Sequence, residues 1–238
     1  GTLLLSDITG KELTRLDYPA ALVRNSWARM EDGLGEWAWT DMPSPSATNN
    51  HSDFASKRLE PPVLSHDSHV FSKSFTLTID IPDGAILRYT DDGTTPTRTH
   101  GMTNTTGSIL VTRSRVFRFT LFKNGFLASP VVTRTFIRKD KDFSLPIVSV
   151  VTAPENLYSD SIGIFIKGTT KKAGNTDNWD MDWDRPVNFE YLNEEGVSLL
   201  SQEADISRSG GLSRTFTPCT FKVTAKKKYE GMNTLNYP

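Results

Sequence analysis

Three stretches of this sequence place side chains where their types and spacing invite chemistry. The first is R-Y-T-D-D-G-T-T-P-T, Arg88 to Thr97, with Asp91 and Asp92 adjacent. The second is D-M-D-W-D, in which Asp180, Asp182 and Asp184 alternate. The third is H-D-S-H, which carries His66 and His69. Grouped carboxylates hold hard cations when several oxygens converge, and imidazoles hold zinc when three or four ligands do. Alternating aspartates open an EF-hand loop, but here its sixth position is Arg185 where glycine is required, and its twelfth is Tyr191 where a glutamate is required. Asp180, Asp182 and Asp184 therefore read as a weak cation site at best. We expect Trp179 and Trp183 to pack inward, with the carboxylates solvated or paired with Arg185. His66 and His69, like His51 and His100, sit in polar loops and lack a third ligand, so zinc fits poorly.

The Asp91-Asp92 pair reads as geometry before chemistry. Asp92 accepts backbone N–H bonds as an Asx turn, Gly93 supplies a positive φ, and Pro96 stiffens the exit. Tyr89 is expected to bury its ring while its hydroxyl seeks a partner. A carbohydrate or calcium site would need aromatic platforms or further oxygens. Tyr89, Asp92, Gly93 and Pro96 thus form a structural turn motif. No Ser-His-Asp order, glycine-rich phosphate loop or pair of glycosidase carboxylates stands out elsewhere.

Composition narrows the partners. With 27 basic and 28 acidic residues the 238-residue chain has a formal net charge of -1, which argues against nucleic acid. Its one basic run, Lys226–Lys228, reads as a solvated strand end. The single cysteine, Cys219, excludes an intrachain disulfide and a Cys-based zinc cage. No apolar run approaches the roughly 18 residues of a membrane span, and no charged signal segment opens the chain.

The elements that must position these residues are strands. Short alternating or β-branched runs recur, whereas helical periodicity is nearly absent. Strands are expected at residues 2–6, 12–17, 27–30, 37–40, 74–80, 85–89, 108–111, 115–123, 131–137, 147–152, 163–167, 187–192, 202–207 and 221–224. Turn dipeptides such as Asp32-Gly33, Asp83-Gly84, Asp92-Gly93 and Glu195-Gly196 fall between them. The fold class is mainly β: immunoglobulin-like β-sandwich modules followed by an incomplete, mixed β-rich third module. A polar Pro/Ser/Asn stretch and a charged break at Arg138–Asp142 divide the chain into residues 1–50, a linker at 51–59, residues 60–138 and residues 145–238.

Each segment resembles a known family. In the first, Asp17, Tyr18, Ser26, Arg29, Asp32, Gly33, Gly35, Trp37, Pro43, Pro45 and Asn49 resemble the second half of a lamin-tail domain, an immunoglobulin-like sandwich. Ser46 stands where that family has glycine, and the resemblance implies further strands upstream. In the second, Gly84, Ala85, Leu87, Tyr89, Thr90, Asp92, Gly93, Pro96 and Thr97 resemble the C-terminal immunoglobulin-like domain of chitobiases and hexosaminidases. In the third, Leu145, Pro146, Leu157, Tyr158, Gly163, Ile164, Gly168, Asn178, Trp179, Trp183, Arg185, Pro186 and Val187 match the opening of the spore-coat-protein-H (CotH) kinase family. Gly210, Gly211, Ser213, Arg214, Phe221 and Lys222 continue that match.

A CotH-like kinase would use ATP and Mg²⁺. The resemblance covers about the first third of such a domain, which implies that its catalytic carboxylates lie beyond Pro238. Arg214 and Lys222 are the conceivable phosphate contacts, although both also read as solvent-facing. Cys219 replaces a lysine of the family pattern and cannot supply a fixed positive charge. The expected function is a non-catalytic interaction or scaffold region of an exported or cell-surface bacterial protein, with no cofactor of its own. A protein or a cell-surface glycan would be its partner. Two alternatives stand beside it: a carbohydrate-binding module, for which Trp37, Trp39 and Tyr89 are the aromatics to inspect, and part of an ATP-dependent kinase.

Overall fold

The computed structural model describes residues 1–20, 25–51, 53–169, 177–211, 213, 216, 218–230 and 233–235. The protein is mainly β, with several sheets and two short helices. It forms two compact units: Gly1–Leu59 together with Lys123–Ala128, and Glu60–Phe122 together with Ser129–Pro238.

The first unit holds two hairpins. β1 (Thr2–Ser6) pairs with β2 (Glu12–Asp17), and β3 (Ser26–Glu31) pairs with β4 (Leu34–Thr40). Its small core gathers Trp39, Ala55 and Leu127, with Trp27 edge-on to Trp39 at 5.1 Å. Ala55 is bound to Trp39 by reciprocal backbone bonds of 2.8 and 3.0 Å, and the Leu59 N–H donates to the Leu127 carbonyl. The segment expected to be a linker is thus anchored to β4 and to the 123–128 loop. The β1–β2 hairpin is different. Leu3, Leu4, Leu5 and Leu13 are all more than half exposed.

Asn49 closes the second hairpin. Its side-chain amide donates to the Arg29 carbonyl at 2.8 Å, its backbone N–H donates to Asp32 at 2.8 Å, and it accepts a bond from Ser44. The residues that resemble a lamin tail therefore satisfy one another locally. Ser46 adopts φ +62°, the left-handed region where glycine costs nothing and an L-residue is strained.

The second unit begins with a two-layered sandwich. One layer contains β5 (His69–Phe71), β7 (Ile86–Thr90), β8 (Met102–Asn104), β10 (Arg115–Phe122) and β11 (Val132–Arg138), in the order β5-β11-β10-β7-β8. The other pairs β6 (Phe75–Thr78) with β9 (Ser108–Val111). Between them lie Leu77, Leu87, Val111, Phe117, Phe119, Leu121 and Phe136, all buried. Alternation along F-R-F-T-L-F accounts for that apolar face.

A second sheet of the same unit contains β12 (Ile147–Val151), β13 (Asp184–Leu192), β14 (Ser198–Arg208) and β15 (Phe221–Thr224), in that order. One face buries Val187, Ala204 and Ile206 against Ile164, Leu157, Phe165 and Trp183. The short helices are α1 (Pro154–Tyr158) and α2 (Lys227–Glu230).

The run Gly163–Lys167, expected to be a strand, pairs with no strand among the described residues. Gly163 sits so close to Leu157 and Ser159 that a Cβ would lie 2.6–2.7 Å from their backbone atoms. Ile164 and Phe165 then donate to the carbonyls of Asn156 and Leu157, so the run folds back on α1. The basic run is also not a free strand end: Lys226 meets Asp184 at 3.2 Å, and Lys228 meets buried Asp205 at 2.7 Å.

Candidate functional site

The Arg88–Thr97 turn forms a joint within the second unit. Asp92 accepts bonds from the Thr94 N–H at 2.9 Å and the Thr94 hydroxyl at 2.5 Å, and His100 meets that hydroxyl at 2.8 Å. Partial burial alone would raise the Asp92 carboxyl, but these bonds outweigh it and hold the group below its usual range. Thr90 donates to the Thr94 carbonyl, and Asp91 is paired with Arg115 at 2.6 Å. Tyr89 is half-buried beside Phe117 and Phe119, and Pro96 is buried. Gly93 adopts φ +85°, and a Cβ on it would lie 2.4 Å from the Thr152 carbonyl oxygen, just past β12. The glycine serves the turn and also lets the sandwich approach the second sheet.

Around this contact the outward face of the sandwich is covered. Cross-strand pairing places Thr90, Arg118 and Thr133 on one face, with Val116 and Thr135 beside them. Thr90, Arg118, Thr133 and Thr135 are each at least nine-tenths buried. Arg118 donates to the Gly93 carbonyl at 3.1 Å and to the Thr95 hydroxyl at 2.9 Å, and approaches Glu203 of β14 at 3.9 Å. The Val70 N–H donates to the Gly196 carbonyl between β13 and β14 at 2.9 Å.

Glu190 of β13 lies at the centre of the joint with no exposed surface. Ser68 and Thr135 donate their hydroxyls to its two oxygens, and Ser201 bonds it from the neighbouring strand. Thr135 also meets Ser149 of β12 at 2.8 Å. Burial raises the Glu190 carboxyl above its ordinary range; the three hydroxyls and the charge of Arg134 pull the other way without cancelling it. Removing one partner from so buried a carboxyl leaves an unsatisfied group, which makes the joint specific rather than greasy.

The other expected site residues lie apart. Asp180 closes a single helical turn, Asp182 follows it exposed, and Asp184 opens β13 paired with Lys226. Among the described residues, no three His, Cys, Asp or Glu groups converge as a metal site would require. Arg185 turns away from these carboxylates. It stacks over Trp183 at 4.6 Å and donates to the Ile162 carbonyl at 2.6 and 2.9 Å. Asn178 is fully buried and holds the loop carbonyl of Asp160 at 3.0 Å. Lys222 is exposed on β15 opposite Ser207, and Arg214 lies outside the described residues. His66 and His69 are half-buried, stack on each other at 5.5 Å and pack on Phe75 at 4.7 and 5.0 Å, with His69 on β5 rather than in a loop. Trp39 is buried, Trp37 lies under Arg29 at 5.1 Å, and Tyr89 is half-buried within the sandwich.

Glu190, Ser68, Thr135 and Arg118 escaped the sequence reading. The available signal was Glu190 inside V-N-F-E-Y-L and Arg118 inside V-F-R-F-T, charges set in the middle of strongly apolar strands. No helix among the described residues is long and apolar enough to cross a membrane. No protein-family model, no curated protein and no solved structure matches the chain.

Proposed function

We propose that this chain is a non-catalytic interaction or scaffold region of an exported or cell-surface bacterial protein of the CotH kind. Its two modules at residues 60–138 and 145–238 act as one stiff spacer. One observation carries this reading: the most motif-like turn in the chain packs its Gly93 on Thr152, and Arg118, bonded to that turn, reaches Glu203 of the second sheet. Gly93 and Arg118 hold the two sheets in one register, and Asp92 keeps the turn closed on Thr94.

The test has two arms. The whole chain is incubated with labelled ATP and Mg²⁺, and separately its backbone relaxation is measured by NMR. The proposal expects no phosphoryl transfer and a single tumbling time for residues 60–122 and 129–230. Transfer of label, or independent tumbling of the two modules, would overturn it.

A further inference from the structure

Asn124 is the only asparagine of the chain that precedes a glycine. It sits in the turn after β10, where the Phe126 N–H donates to the Lys123 carbonyl at 3.2 Å and Gly125 adopts φ +76°. Asn124 and Gly125 are both exposed. Among the described residues, neither the Asn124 amide nor the Gly125 N–H has a hydrogen-bond partner. Nothing lies within 4 Å of where a Cβ on Gly125 would stand, so the space beside this peptide is open. Two aspartate–glycine turns provide the contrast. Asp32 accepts the Asn49 N–H at 2.8 Å, Asp92 accepts two bonds from Thr94, and Gly93 is wedged on Thr152. Those carboxyls hold their turns closed, whereas the Asn124 amide holds nothing.

Such a pair sets an electrophile beside a nucleophile. The Gly125 backbone nitrogen, having given its proton to hydroxide, attacks the Asn124 Cγ. The N–Cγ bond forms, the Cγ–Nδ2 bond breaks, and the amide nitrogen leaves as ammonia with a proton from water. Water then opens the resulting five-membered imide. Opening at the side-chain carbonyl gives aspartate; opening at the backbone carbonyl gives isoaspartate, whose main chain is one methylene longer. Water is the only co-reactant, and nothing is oxidised or reduced. Glycine favours the attack because no Cβ shields its nitrogen.

The products arise next to the anchor of the first unit. Leu127 is buried in that unit's small core, its N–H donates to the Lys57 carbonyl at 3.0 Å, and its own carbonyl accepts the Leu59 N–H at 3.1 Å. The ammonium groups of Lys57 and Lys123 lie over the Phe126 ring at 5.1 and 5.4 Å. A longer backbone in the preceding turn pulls on this anchor, and a new carboxylate enters beside two cations. We propose that Asn124 is a site of spontaneous self-modification, converting in the folded protein to isoaspartate and aspartate and so loosening the anchor of the first unit.

The full chain is incubated in heavy-oxygen water at mildly alkaline pH, both folded and in urea, and its peptides are mapped by mass spectrometry with fragmentation that separates isoaspartate from aspartate. Asn124 in the folded chain is expected to convert within about tenfold of its rate in urea, since one turn hydrogen bond of ordinary net strength restrains it no further. Both products carry one heavy oxygen. Asn49 and Asn104, whose amides donate to the Arg29 and Ser108 carbonyls, are expected to stay intact in the folded chain. The aged wild type is expected to show a lowered first-unit step by calorimetry, and aged Asn124→Gln an unchanged one. Asn124 that survives in the folded chain while converting in urea would overturn the proposal. So would conversion that leaves the first-unit step unmoved, or an equal fall of that step in aged N124Q.

Discussion

Ser46 is held in a conformation that its side chain disfavours. Left-handed backbone costs an L-residue about 1–2 kcal/mol, and Ser46 is exposed with φ +62°. Ser46→Gly is expected to stabilise the first unit by about 1 kcal/mol, seen as a rise of a few degrees in its melting point. Asn49→Ala should act in the opposite sense, because the Arg29 carbonyl and Ser44 hydroxyl both lose a partner. A loss of about 1–3 kcal/mol is expected, read from the calorimetric step of the first unit. Gly93→Ala is the harshest change of the three. It combines positive φ with a Cβ 2.4 Å from the Thr152 oxygen, and should cost about 2–4 kcal/mol in the second unit while leaving the first unchanged.

At the scale of strands and sheets, Glu190 ties three elements together, and its titration follows from that. Its folded-state pKa is raised, so the folded protein binds the proton more tightly than the unfolded chain. The stabilisation is fully present below the ordinary glutamate value of 4.5 and is lost as pH rises through the raised folded value. Relative to Glu190→Gln, the wild type should therefore lose stability as pH rises above the ordinary glutamate value of 4.5, a divergence that urea melts at several pH values would reveal. Parallel curves for the two proteins would contradict it. Much of this layer was legible beforehand. The bounds of β1, β2, β9 and β15 follow from alternation and turn residues. β5 and β8 are three residues each, too short to leave a pattern, and α1 and α2 are too short for helical periodicity. The joint was illegible for another reason: alternation in β10 correctly separates Phe117, Phe119 and Leu121 from Arg118 and Thr120, but says nothing about whether the second set meets water or protein. All are buried.

For the molecule as a whole, the two compact units predict two thermal transitions. The first unit has a core of a few side chains around Trp39, whereas the second contains the sandwich core and the cluster around Ile164. Calorimetry should show the first unit melting first, with Ser46→Gly moving that step alone and Gly93→Ala moving only the later one. A single transition shifted by both changes would show that the units unfold as one.

The covered face of the sandwich is floored with threonine rather than leucine. A hydroxyl that bonds a neighbouring sheet in the assembled protein bonds solvent equally well once parted from it. Parting the sheets would also bare Val151 and Leu192, which share the face of Glu190, so the sandwich and the second sheet depend on one another.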